Sequence, residues 1–234
     1  LLFKKKKGKA DALRGSVFTK IGRELAVAVK QGGADPSGNA RLRDVIAKAK
    51  QNNMPNDNIA RSIKKASGEL NTVNYEDMVY EGYASGGIAV IVEALTDNKN
   101  RTAGDIRHFF DKYGGALGQT GCVSFMFKRK GIIIAEKDNR TEDDMMMLAL
   151  EAGAEDLAEY DDVFEILTAP QDLSNIASEL EKQGVKIISQ SSDMIPDTPT
   201  DPGVHLEKVI KLLDALEEND DIQNVYHNAI LPEE

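Results

Sequence analysis

An α+β fold in three domains is what the sequence predicts. Apolar residues recur at helical spacing through residues 10–67, strands alternate with helices beyond residue 72, and residues 131–192 run strand, helix, strand, strand, helix, strand. The first stretch predicts a basic helical domain over 1–72. The last predicts a ferredoxin-like βαββαβ domain over 130–202 with a Pro-rich exit, inserted into a discontinuous α/β domain made of 73–129 and 203–234.

Three helices account for the first domain. Phe18, Ile21, Leu25 and Ala28 share one face of the first, which Gln31-Gly32-Gly33 stops. A turn at 34–39 precedes the second, marked by Leu42, Val45, Ile46 and Ala49. Pro55 opens the third, since a first helical turn does not need the missing N–H, and Ile59, Ile63 and Ala66 face one way until Gly68. Lys20, Arg23 and Lys30 fall opposite the apolar stripe of the first helix, as Arg61, Lys64 and Lys65 do on the third. Arg41, Arg43, Lys48 and Lys50 flank the stripe of the second. All ten are expected to be exposed.

The period then changes. Tyr80–Tyr83 reads as an edge-like strand and Ile88–Val92 as a buried one. A helix follows with Ile106, Phe109, Phe110 and Tyr113 on one face, closed by Gly114-Gly115, and the alternation at Val123–Phe127 predicts another strand. Within the inserted domain the expected strands are 132–135, 156–160, 163–168 and 185–189, with helices over 141–152 and 172–183. Pro196, Pro199 and Pro202 predict a stiff linker. Leu206, Val209, Ile210, Leu213 and Leu216 then mark a helix and Ile222–Tyr226 a last strand, which together complete the second domain.

Charge separates the parts. The 234 residues carry a net charge of -10, yet residues 1–68 hold 16 Lys+Arg against 5 Asp+Glu, leaving 13 against 34 for the rest. Such a reversal points to polyanion binding by the basic part. One cysteine (Cys122) and three histidines cannot build a disulfide framework or a closed zinc site, so a reducing, cytoplasmic setting is expected, with no structural metal and no cofactor. No apolar run approaches the length of a membrane span, and Leu1, Leu2 and Phe3 are too few for a signal-peptide core. The function expected is therefore neither membrane-bound nor secreted.

The segments Asn52-Asn53-Met54-Pro55, Tyr80-Glu81-Gly82-Tyr83, Thr96-Asp97-Asn98-Lys99-Asn100-Arg101-Thr102 and Gly114-Gly115-Ala116-Leu117-Gly118 closely resemble the YebC/PmpR family, also called the probable transcriptional regulatory protein family. The resemblance spans residues 8–234. It implies the same three-domain form with the third domain inserted in the second. It also implies a regulator of gene expression: bacterial members are described as DNA-binding transcriptional regulators, while others are linked to translation, including a mitochondrial translational activator and factors acting on ribosomes stalled at proline-rich stretches. The chain departs from the family at Leu1–Lys7, where members usually carry Gly-His-Ser-Lys-Trp, and at Ala84-Ser85-Gly86-Gly87, where a proline commonly precedes the paired glycines.

Lys9, Arg14, Lys20, Arg23, Lys30, Arg41, Arg43, Lys48, Lys50, Arg61, Lys64 and Lys65 are the candidate phosphate contacts, with Arg101 and Arg107 as secondary ones. The competing reading of the Thr96–Thr102 loop is structural, with Asn98 or Asn100 capping a helix and Arg101 paired with Asp105. Gly114, Gly115, Gly118 and Gly121 match no phosphate-loop pattern and read as turn and cap residues. Residues 136–165 hold 12 acids against Lys137 and Arg140; this surface should repel nucleic acid, and solubility explains it better than a basic protein partner does. Met145 and Met146 are expected to fill core. No catalytic motif appears, and His108 is expected to be structural.

Within 1–68 the aromatics are Phe3 and Phe18, so stacking platforms for single-stranded bases are missing and binding should be led by phosphates. Asn52, Asn53, Asn56 and Asn58 could read base edges, but turn and cap duty is expected of at least half. A non-enzymatic regulator that docks on ribosomal RNA through the basic domain is the leading expectation, with ribosomal or transcription proteins as partners of the acidic domains. A DNA-binding transcription factor is the first alternative, a protein-interaction adaptor the second and a metal-dependent nuclease the last.

Overall fold

The computed structural model describes residues 14–68 and 73–232, which divide into two compact units: 14–125 with 198–232, and 126–197. The first unit opens with α1 (Arg14–Gly32), α2 (Ala40–Gln51) and α3 (Asn56–Ser67). Ile21, Leu25, Ala28 and Val29 of α1 meet Leu42, Val45 and Ala49 of α2 and Ile59 and Ala66 of α3, with Met54 closing the gap. The α1–α2 connection is held by Asn39. Its buried side chain caps α2 by accepting from the Leu42 N–H (3.0 Å), while its amide donates to the carbonyls of Ala28 and Gly33, both at 2.8 Å.

A hairpin follows, β1 (Glu76–Ala84) and β2 (Ile88–Thr96), in antiparallel register from Glu76 opposite Thr96 to Ala84 opposite Ile88. Its turn uses Gly86 and Gly87, both at positive φ (78° and 74°), where side chains are disfavoured. After α4 (Lys99–Lys112), the short β3 (Ala116–Leu117) pairs with β1. Close approach makes this possible: a Cβ on Gly82 would lie 2.5 Å from the Ala116 carbonyl oxygen.

The strand expected at Val123–Phe127 is not formed. Buried Glu81 of β1 draws these amides away, accepting from the N–H groups of Gly121 (2.8 Å), Val123 (2.9 Å) and Ser124 (2.8 Å). Ser124–Met126 is a 3-10 turn instead. Burial opposes ionisation of Glu81, but the three backbone donors outweigh it and hold the carboxyl below its usual range.

The second unit runs β4 (Phe127–Glu136), α5 (Glu142–Ala152), β5 (Asp156–Glu159), β6 (Val163–Thr168), α6 (Leu173–Lys182) and β7 (Ile187–Pro196). Its sheet order is β5-β6-β4-β7, antiparallel throughout, the ferredoxin-like arrangement. Ile133, Ala135, Phe164 and Ile166 pack beneath Met145 and Ala149 of α5 and Ile176 and Leu180 of α6. The last strand starts and ends later than its expected 185–189. The Val185 N–H closes α6 by donating to Leu180 O (3.0 Å), and the ladder with β4 continues until Pro196 stands opposite Phe127. Pro196 thus ends a sheet-edge strand, where its missing N–H is tolerated, rather than belonging to the linker. The unit accordingly starts and stops a few residues before the expected 130–202.

The chain then returns to the first unit through a bridge of Thr200 with Ala229. α7 (Leu206–Glu218) and β8 (Ile222–His227) follow, β8 pairing antiparallel to β2 to give the order β3-β1-β2-β8. Val90 and Val92 of β2, Ile106 and Phe110 of α4, and Val209, Leu212 and Leu216 of α7 form that core.

Candidate nucleic-acid interface

The amphipathic spacing of α2 and α3 turns their apolar residues into the bundle and their cations outward. Arg61, Lys64 and Lys65 of α3 are exposed, as are Arg41, Arg43 and Lys50 of α2. Arg41 donates to the Gln31 side-chain oxygen (2.6 Å) and Arg43 to the carbonyls of Pro36 and Ser37 (2.8 and 3.1 Å), contacts that leave both positive charges uncompensated. Lys50, Arg61, Lys64 and Lys65 make no hydrogen bond or ion pair through their side chains with any described residue. Lys48 is different: it pairs with Glu24 at 2.7 Å and is half-buried.

Asn52 and Asn53 serve the turn between these helices. Asn52 donates from its amide to Lys48 O (2.8 Å) at the end of α2, and Asn53 takes a left-handed conformation (φ 56°), which asparagine tolerates better than most residues. Asn56 and Asn58 lie in the first turn of α3. Phe18 packs against the bundle core, so no aromatic platform is presented by residues 14–68.

The expectation that the α1 cations are exposed holds for Lys30 and is corrected for Lys20 and Arg23, which are partly buried. Lys20 donates from Nζ to the Glu217 carbonyl (2.5 Å), and burial lowers its pKa against the opposing pull of Glu217 and Asp220. Arg23 donates from Nη1 to Leu95 O (2.9 Å) and to Asp221 Oδ1 (2.5 Å), and lies 5.4 Å from the centre of the Tyr75 ring. Lys30 stays exposed but binds Val73 O and Asn74 Oδ1 (2.8 Å). The face opposite the bundle core is covered by the α/β part of the same unit. Lys9 lies outside the described residues, as does the side chain of Arg14, whose backbone begins α1.

Asp221, just before β8, is the centre of this covering contact. Its side chain is 5% exposed and accepts from Arg23, from Thr102 Oγ1 (2.7 Å), and from Arg101 Nη2 (2.8 Å) and Nε (3.1 Å). Burial works against its charge, yet hydrogen bonds from Arg23, Thr102 and Arg101 prevail and hold the carboxyl at about 2. Arg101 is therefore committed to Asp221 and to Asp97 (2.8 Å), not to the expected Asp105, and these hydrogen bonds raise its own pKa. Asn98, not Asn100, caps α4. Arg107 and His108 are exposed on α4. Local sequence carried no sign of Asp221, because Arg23 is 198 residues away from it.

The described residues include no group of three or more His, Cys, Asp or Glu able to hold a metal ion, and no helix long and apolar enough to cross a membrane.

The family model described as "TACO1/YebC protein N-terminal domain" matches residues 2–69, and the one described as "TACO1/YebC second and third domain" matches residues 75–229. A probable transcriptional regulatory protein of Acetivibrio thermocellus is 59% identical over 229 residues, covering 96% of this chain and 94% of that one. One from Clostridium novyi is 58% identical, covering 98% and 94%. The crystal structure of a conserved hypothetical protein from Aquifex aeolicus superposes with a TM-score of 0.84 at 46% identity, covering 98% of this chain and 95% of that one. Family models covering both the helical domain and the two α/β domains, together with relatives of this identity, place the chain in the TACO1/YebC family of probable transcriptional regulatory proteins.

Proposed function

We propose that this protein is a non-enzymatic regulator of gene expression that binds nucleic acid through the α2–α3 face, with Arg41, Arg43, Lys50, Arg61, Lys64 and Lys65 contacting phosphates. The observation that carries this reading is the exposed, uncompensated state of these cations, while Arg23 of α1 is paired with Asp221 and Lys20 and Lys30 are held by oxygens of the α/β part. Ribosomal RNA is the favoured target. Structured RNA is read largely by shape and backbone, which suits a face rich in cations, without aromatic platforms, and whose asparagine Asn52 serves a helix end. The names of the relatives favour a second reading, a DNA-binding transcription factor, in which α2 and α3 act as a helix-turn-helix. Arg107 is a secondary contact in either case.

Co-sedimentation with purified ribosomes at rising salt, with duplex DNA as competitor, tests the proposal. Salt-sensitive binding that resists DNA and is lost in the Arg61→Glu/Lys64→Glu/Lys65→Glu variant is the expected result. Binding that transfers to the DNA competitor returns the transcription-factor reading. Ribosome binding unchanged in the variant removes α2–α3 as the site.

A further inference from the structure

The inserted unit leaves one helix face uncovered. Of the run Met145-Met146-Met147, Met145 is fully buried beside Ala149 and Met146 half-buried, whereas Met147 is 63% exposed and Leu150 54% exposed. Three residues apart, Met147 and Leu150 are neighbours on the helix surface. Exposed Asp143 and Glu151 lie one turn to either side of Met147 on the same face. A helix lying on a small sheet ordinarily keeps its outer stripe polar.

The acids are only partly explained by the helix itself. Glu142, Asp143 and Asp144 occupy the first turn, where the dipole favours negative charge, and Thr141 caps through the Asp144 N–H. Glu151 stands near the opposite end, where the dipole disfavours it, and no basic residue occupies the last turn. Two features that do not serve α5 as a helix, an apolar pair and this acid, fall on one face.

We propose that this face of α5 docks a basic protein segment that carries a large apolar side chain among Lys or Arg residues. Every ionic group on α5 is acidic, so the complement is cationic, and the acids repel a nucleic-acid backbone. Met147 supplies an adaptable apolar contact. A second copy of this chain is the poorer complement: its α2–α3 face has cations, but no large apolar side chain is exposed among residues 14–68. This inference stands apart from the nucleic-acid reading, since it uses a different surface.

The full chain is titrated, by fluorescence anisotropy, with a labelled amphipathic helical peptide of Lys and Leu and with a Lys/Ser peptide of equal charge. The Lys/Leu peptide is expected to bind at least about tenfold more tightly, consistent with burial of apolar side chains. Met147→Ser/Leu150→Ser, both at exposed positions, should remove that preference, Glu151→Gln should weaken both peptides, and hydrogen exchange should show protection by the Lys/Leu peptide over Glu142–Ala152. Nucleic-acid binding should be unchanged in the double variant. Equal affinity for the two peptides, or undiminished Lys/Leu binding by the double variant, overturns the proposal. So does self-association of the wild-type chain that the double variant abolishes, which would give the face to a second copy.

Discussion

Helices α1 and α3 carry cations at equivalent places on their helical wheels, and the fold puts them to opposite uses. Arg23 is 15% exposed at its side chain and bound to Asp221, whereas Arg61, Lys64 and Lys65 stand in solvent. The difference lies outside the helices. A helical wheel states where a residue points relative to its own bundle, and a second layer of structure can cover the far side. Here β2, α7 and the residues before β8 do so, and supply Leu95 O, Glu217 O and Asp221 to the α1 cations.

The sharpest way to break this contrast is Asp221→Ala. It leaves Arg23 poorly solvated without its carboxylate, so stability should fall by about 3–5 kcal/mol in urea unfolding. A loss below about 1 kcal/mol would mean that the cluster contributes little. The Arg61→Glu/Lys64→Glu/Lys65→Glu variant addresses the other side. Affinity for duplex nucleic acid at low salt should drop about a hundredfold, and a log-log salt slope near about -5 for roughly six phosphates should flatten toward about -3. Its unfolding free energy should stay within about 0.5 kcal/mol of wild type.

Acid titration sharpens the contrast further. The Asp221 pKa is depressed in the folded state to about 2. Its contribution to stability is therefore fully present above about pH 4 and lost as pH falls through about 2. About 2 kcal/mol should disappear in that window, and the loss should be absent from Asp221→Asn. The smallest effect belongs to Lys50→Ala, with stability unchanged within about 0.5 kcal/mol and binding reduced only a few-fold. A large stability loss there would show Lys50 to be structural like Arg23.

Local chemistry made much of the fold legible. Pro55 and Gly68 bound α3 as expected, and the helix expected over 141–152 forms as α5. The βαββαβ order of the inserted unit followed from period changes, and its sheet order agrees with that motif. Where expectation failed, a distant partner intervened. Val123, Phe125 and Phe127 alternate like a strand, but the Glu81 carboxylate, 42 residues from Val123, takes the amides a ladder would need. The basic character of the candidate site was legible in composition; its division into free and committed cations was not.

The three methionines of α5 show the same boundary. Helical period places Met145 in the core, but whether Met147 would be covered depends on what packs above it. By itself the sequence determined most element types, the ends of α3 and the concentration of positive charge in the first domain, because these follow from side chains and backbone within a few residues. Only the tertiary structure decided which cations remain available and which acids hold the fold together. Hydrogen bonds and desolvation act between atoms a few ångströms apart, and for Arg23 and Asp221 those atoms are separated by 198 positions along the chain.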